Sequence, residues 1–241
     1  MTNNGKKTET DGQSQNQNKG VIIVDDCGSN DYFGPLVIVS LYASPEALQW
    51  FKTCNLDMSQ PLDVNKKYEL IHEVQNRCAF HPVIITPIKY NGLFYDMPHV
   101  KEISAWGYAT AIESLLDQVE CQHVICNGFE KNDMILHKYL NMKRNAKNVI
   151  VSQPNNRNNL AIASPGLLAE KIYSPCIKNL QNKYGTQLPR GSDNYIVEPA
   201  RHILKNYGLD GLREAAKLHM KDIDMVEPAN QTKVPADILT W

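Results

Sequence analysis

The stretch VIIVDDCGSNDYFGPLVIV, Val21 to Val39, sets two adjacent aspartates, Asp25 and Asp26, between two β-branched apolar runs. VIIV and PLVIVSLYA have the length of strands, and Gly34-Pro35 punctuates the chain between them, which predicts a β-hairpin in a buried sheet. Adjacent side chains on a strand point to opposite faces, so the two carboxylates converge only if the strand kinks or ends there; Gly28 permits such a turn. A carboxylate at the end of a central strand is a common way to hold a divalent cation against a phosphate, because Mg²⁺ takes hard oxygen ligands. An Asp-Asp pair ahead of glycine is also an ordinary turn sequence.

Outward from this hairpin, the spacing of Tyr68, Ile71, His72 and Val74 predicts a helix across Leu62 to Arg77, followed by a strand over HPVIITPIKY. A longer helix is expected over Val100 to Val119, with Trp106, Ala109, Ile112, Leu115 and Leu116 on one stripe. Then come a short strand in HVICNGF, a Lys-rich loop, a strand at Asn148 to Ser152 and a helix from Leu160 to Leu180. Two helices, Glu198 to Tyr207 and Leu209 to His219, are separated by Gly208. Alternating strands and helices argue for a layered α/β fold.

The 241 residues, 42% of them apolar, suffice for one compact domain with a real core. A net charge of −1 supplies no global basic field, so any nucleic-acid binding must come from local patches. Six scattered cysteines without a CxxC pair, and no signal peptide or long apolar run, point to reduced thiols in a cytoplasmic protein away from the membrane. Residues 1–20, rich in Asn, Gln, Gly, Thr and Lys, read as a disordered polar tail. The seven histidines lack metal-ligand spacing, and Cys126 and the Trp106 and Tyr108 stripe read as packing.

Asp31-Tyr32-Phe33-Gly34-Pro35, the Asp63-Val64-Asn65-Lys66-Lys67 segment, Val124 to Phe129, Leu160 to Ala169, Leu188-Pro189-Arg190-Gly191, and Gly208 through His219 occur in an order that resembles the type 2 ribonucleases H, above all ribonuclease HIII. The likeness runs from about Val21 to Ile223. It implies a mixed central sheet flanked by helices with a C-terminal helical portion, a domain over residues 21–225, and an extension at 226–241. It also implies four acidic side chains holding Mg²⁺ or Mn²⁺ ions that cut the RNA strand of an RNA–DNA hybrid. Asp25 falls on the first acid, Asp26 on the second, Asn127 on the third and Asn156 on the fourth. Where the family has glutamate, Asp26 shortens the side chain by about 1.5 Å, a large change for Mg²⁺ geometry.

Two of the four implied acids are therefore amides, and cleavage is expected to be lost or strongly weakened. Glu130, Asp133, Asp193 and Glu198 are the acids that could restore the site. The family's Gly-x-Gly turn, which meets the nucleic-acid backbone, is here Gly28-Ser29-Asn30, and Lys66 and Lys67 could neutralise phosphates. The family's separate N-terminal binding domain corresponds to no segment of this sequence, so hybrid affinity should be low. The expected state is a monomer. An active hybrid endonuclease with a rearranged metal site and a non-catalytic protein-interaction module are the competing readings.

Overall fold

The computed structural model describes residues 20–54 and 56–220. Apart from Gly20, the expected polar tail lies outside these residues, as does the 226–241 extension. Strand β1 is Val21–Cys27 and β2 is Leu36–Ala43, paired antiparallel as the hairpin predicts, with Val21 opposite Ala43 and Cys27 opposite Val37. Helices α1 (Pro45–Cys54) and α2 (Val64–Arg77) precede β3 (Ala79–Ile85), which is antiparallel to β2. Helices α3 (Pro87–Asp96) and α4 (Val100–Leu116) lead to β4 (His123–Cys126), which lies parallel to β1 on its other side. Helix α5 (Met134–Met142), β5 (Ile150–Ser152), α6 (Leu160–Tyr184) and α7 (Val197–Ala215) complete the chain order. The sheet order is β3-β2-β1-β4-β5.

The two-residue period of β1 builds the layers on either side of it. Ile22 and Val24 face the core under α4 and α5 with Ile38, Tyr108 and Ile112; Ile23 and Cys27 face the core under α6, α2 and α1. Ile22, Ile23 and Val24 are wholly inaccessible, each burial being worth about 1.5–3 kcal/mol. A third cluster sets Tyr32 and Phe33 against Tyr184, Ile203 and Leu212, so the C-terminal helices pack on the loop between β1 and β2. The backbone closes the same contact: Gly34 N–H donates to Ala215 O (2.8 Å), Lys217 N–H donates to Tyr32 O (2.8 Å), and Phe33 bridges to Ala216.

The mixed sheet, its helices and the C-terminal helical portion match the expectation, with local differences. Asp25 and Asp26 lie inside β1, opposite Val39 and Ile38, and do not follow its end. The segment TPIKY is not strand: Thr86 caps α3 by accepting from Lys89 N–H, and Pro87 sits in the first turn, where its missing donor costs nothing. The Lys-rich loop contains α5, capped by Asp133, and α1 was not anticipated. Helix α4 stops at Leu116, and α6 continues through Pro165 and Pro175 to a left-handed Gly185 cap. Gly208, at φ +70°, breaks α7 where the two C-terminal helices were expected to part, and the second ends at Ala215. Among the described residues, no helix is long and apolar enough to cross a membrane.

Candidate metal and nucleic-acid site at the end of strand β1

Because β1 keeps regular pairing through Cys27, its two aspartates leave the sheet on opposite faces. Asp25 points toward α6. Its Oδ1 accepts the Asp26 backbone N–H (2.9 Å) and its Oδ2 accepts Asn127 Nδ2 (2.8 Å). Burial pushes the Asp25 carboxyl up to about 6, against the lowering effect of the Asn127 bond. Gly166 of α6 makes this packing feasible, since a methyl there would lie 2.7 Å from Asp25 Oδ2. Asp26 points toward α4, where Tyr108 donates its hydroxyl to Oδ1 at 2.8 Å. Burial and then the neighbouring Asp26 and Asp25 charges hold the Tyr108 phenol well above its ordinary range.

Asn127 directly follows β4, and its backbone N–H donates to Val24 O (2.9 Å), which fixes it beside β1. Its Oδ1 is buried without a hydrogen-bond partner. The structure thus brings Asp25 and Asn127 together and places Asp26 across the strand from them.

A cleft of about 310 Å³ opens beside this strand end, lined by Asp26, the segment from Cys27 to Asp31, Gly166, Glu170 and Arg190. Asp25 does not line it. Gly28, at φ +89°, forms the turn; a side chain there would lie 2.3 Å from Pro35 O and 2.7 Å from the Tyr173 ring, so glycine is required. Asp31 anchors the turn: it accepts Gly191 N–H (2.7 Å) and ion-pairs with Arg190 Nε (3.0 Å). The Arg190 guanidinium also lies 4.5 Å over the Tyr173 ring and donates to Cys27 Sγ at 3.4 Å. Beneath, the buried Lys217 ammonium donates to Gly34 O at 2.7 Å, and burial pulls it down to about 7.

The remaining predicted residues divide. Ser29 and Asn30 line the cleft, and Lys67 reaches its edge through an ion pair with Glu170 (2.6 Å). Lys66 is exposed on the first turn of α2 and does not line the cleft. Asn156 is exposed in the loop before α6, where its Oδ1 accepts Asn158 N–H (2.9 Å); the charge that loop brings to bear on Asp25 is that of Arg157. Among the four acids expected to restore the site, Asp133 caps α5 and pairs with Lys101, and Glu198 pairs with Arg201. Glu130 and Asp193 are exposed, and none of the four lines the cleft. Besides Asp26 and Asp31, the acid that does is Glu170, one helical turn beyond Gly166; that i, i+4 spacing on α6 was its available signal.

Residues 22–223 match the family model for ribonuclease HII. The chain belongs to the ribonuclease HII family. Ribonuclease HIII of Protochlamydia amoebophila is 29% identical over 204 residues, spanning 84% of this chain and 67% of that one. Ribonuclease HIII of Chlamydia pneumoniae is 28% identical over 205 residues, spanning 84% and 68%. The crystal structure of Bst-RNase HIII in complex with Mn²⁺ superposes with a TM-score of 0.75 at 19% identity, over 87% of this chain and 69% of that one; the fold is that of a ribonuclease HIII.

This family uses divalent metal, and the donor set here does not fit a pair of such ions. Two ions would bring a charge of +4 to two carboxylates that leave β1 on opposite faces and are already held by Asn127 and Tyr108. Among the described residues, no three His, Cys, Asp or Glu side chains come close enough to share a cation. Asn127 Oδ1, beside Asp25, is a buried oxygen with no hydrogen-bond partner, and it carries no charge.

Proposed function

We propose that this ribonuclease HII family member is a ribonuclease HIII-like protein that binds RNA–DNA hybrids weakly and has lost, or nearly lost, metal-dependent cleavage of the RNA strand. The observation that carries this reading is the hydrogen bond from Asn127 Nδ2 to Asp25 Oδ2. A carboxylate at 127 would draw a cation into the space beside Asp25, whereas the amide puts a donor there. At 4 Å a close charge pair is worth about 4 kcal/mol at an effective dielectric of 20, and about 1.4 kcal/mol is tenfold in rate. Loss of such pairs therefore removes activity by orders of magnitude. The Gly28-Ser29-Asn30 turn, Lys67 and Arg190 would meet the backbone of the hybrid, and the ribose 2′-OH is the group that marks its RNA strand. Mg²⁺ or Mn²⁺, where bound at all, would be held weakly.

One observation favours a second reading, an active endonuclease with a rearranged metal site: Glu170 lines the same cleft as Asp26. Cleavage of a labelled RNA–DNA hybrid in Mg²⁺ and in Mn²⁺ separates the two, with wild type, Asp25→Ala and the double variant Asn127→Asp/Asn156→Asp side by side. Cutting by the double variant alone supports the favoured reading. Cutting by wild type, abolished in Asp25→Ala, establishes the second. If nothing cuts, salt-independent absence of binding to the hybrid would leave a protein-interaction module as the role of the fold.

A further inference from the structure

Three asparagines in this sequence precede glycine: Asn4, Asn91 and Asn127. In such a pair the glycine backbone nitrogen can attack the asparagine Cγ, because no Cβ obstructs the approach. The new N–Cγ bond forms, the Cγ–Nδ2 bond breaks, and the side-chain amide leaves as ammonia, with a cyclic imide remaining. Water then opens the ring, at Cγ to give aspartate or at the main-chain carbonyl to give isoaspartate. One water is consumed and one ammonia released, with no oxidant or further reactant. Cyclisation needs torsional freedom at the pair and a glycine N–H that is not held by another acceptor.

We propose that Asn127-Gly128 is a site of spontaneous deamidation, which converts the third position of the site from an amide into a carboxylate. Its consequence for cation binding rests on the reading above that the amide at 127 withholds the ion; the modification itself does not. Strand β4 ends at Cys126, and although the Asn127 N–H is still held by Val24 O, Gly128 lies beyond the ladder. Gly128 is exposed, and its N–H has no hydrogen-bond partner among the described residues. The Asn127 side chain is restrained by a single bond, to Asp25, and its carbonyl oxygen by none. The glycine is itself imposed by the site, since a Cβ at 128 would come within 2.5 Å of the Tyr108 hydroxyl oxygen.

Asn91 supplies the contrast within the same molecule. Its amide nitrogen donates to Arg213 O (3.1 Å) and Ala216 O (2.9 Å), and its carbonyl accepts Leu218 N–H (3.0 Å). Gly92 lies inside α3, where the backbone N–H belongs to the helical ladder. Asn91 can react only through local opening, which makes it slower by the population of the opened state.

The test ages the purified full chain in mildly alkaline buffer at physiological temperature and maps its peptides by mass spectrometry, with isoaspartyl methyltransferase labelling of the isomer. Asn127 should convert on the order of tenfold or more faster than Asn91, and unfolding in urea should abolish the difference. Native Asn127 as inert as Asn91 would overturn the proposal and leave the reading of the metal site untouched. The aged protein and Asn127→Asp are then compared for a rise in Tm with Mn²⁺. If Asn127 converts but neither sample gains that rise, the modification stands and the amide is not what withholds the ion.

Discussion

Asn127 Nδ2 lies 2.8 Å from Asp25 Oδ2, so an amide hydrogen occupies the space between the two side chains. Asn127→Asp replaces that attraction by the repulsion of two buried acids. Without divalent metal the variant should be less stable than wild type by about 1–3 kcal/mol near neutral pH, and Mn²⁺ should recover the loss. Thermal melts with and without Mn²⁺ check this; a variant as stable as wild type in chelator and indifferent to Mn²⁺ would sink it.

Gly166 tests how closely α6 packs on the site. Alanine there improves helix propensity but meets Asp25 Oδ2 at 2.7 Å, so Gly166→Ala should cost about 1–3 kcal/mol by urea denaturation. Gly92→Ala in α3 meets nothing within 4 Å and should instead stabilise by about 0.5–1 kcal/mol. If both changes shift stability in the same direction, Asp25 is not packed against Gly166 as described.

Lys217 predicts a pH dependence with a definite sign. Burial is the main cause of its lowered value of about 7; Asp31 and Cys27 oppose it and Arg190 assists it. Between pH 7 and the ordinary lysine value of 10.5, the unfolded chain holds a proton that the folded chain has shed, so folding stability from this group rises with pH. From pH 7 to pH 9, wild type should gain on the order of 2–3 kcal/mol relative to Lys217→Met. Urea titrations across that range measure the difference, and a pH-independent gap between the two proteins would refute it.

Tyr108 couples α4 to the second aspartate. Tyr108→Phe leaves Asp26 Oδ1 without its 2.8 Å donor and should destabilise by about 1–3 kcal/mol. The same change relieves part of the crowding at residue 128, so Gly128→Ala should cost less in the Tyr108→Phe background than in wild type. Simple additivity in that double-mutant cycle would contradict the contact.

The hairpin, the β4 and β5 strands and the long α6 were legible because each carries its own period or punctuation. Helix α3 was not, since its first turn, Pro87 to Tyr90, reads as the end of the strand HPVIITPIKY; only the Thr86 cap shows that the proline opens a helix. Helix α5 is nine residues long, and Lys138 and its flanking lysines masked an apolar face formed by Leu136, Tyr139 and Leu140. In the site, Asp25 and Asn127 could be matched through ordered motifs. Glu170, Tyr108 and Arg190 could not be assigned roles that way, because each acts through partners far along the chain: Lys67 is 103 residues from Glu170, and Asp26 is 82 from Tyr108. Asn156 matched the motif order, yet its loop side chain is occupied with its own backbone.

The loop between β1 and β2, which carries the cleft's turn, is fastened by a segment at the far end of the chain. Lys217 reaches Gly34 across 183 residues of sequence, beside the Phe33 to Ala216 bridge. During synthesis the hairpin can pair as soon as β2 has been made, but this fastening must wait for almost all of the described chain to emerge. The turn is thus fastened only late in synthesis, although closing so long a loop costs just about 0.6 kcal/mol more than closing one of half its length. A chain ending before Ala215 would lack the Gly34 to Ala215 hydrogen bond, the Phe33 to Ala216 bridge and the Lys217 contact, and the turn that carries the cleft would be left unfastened.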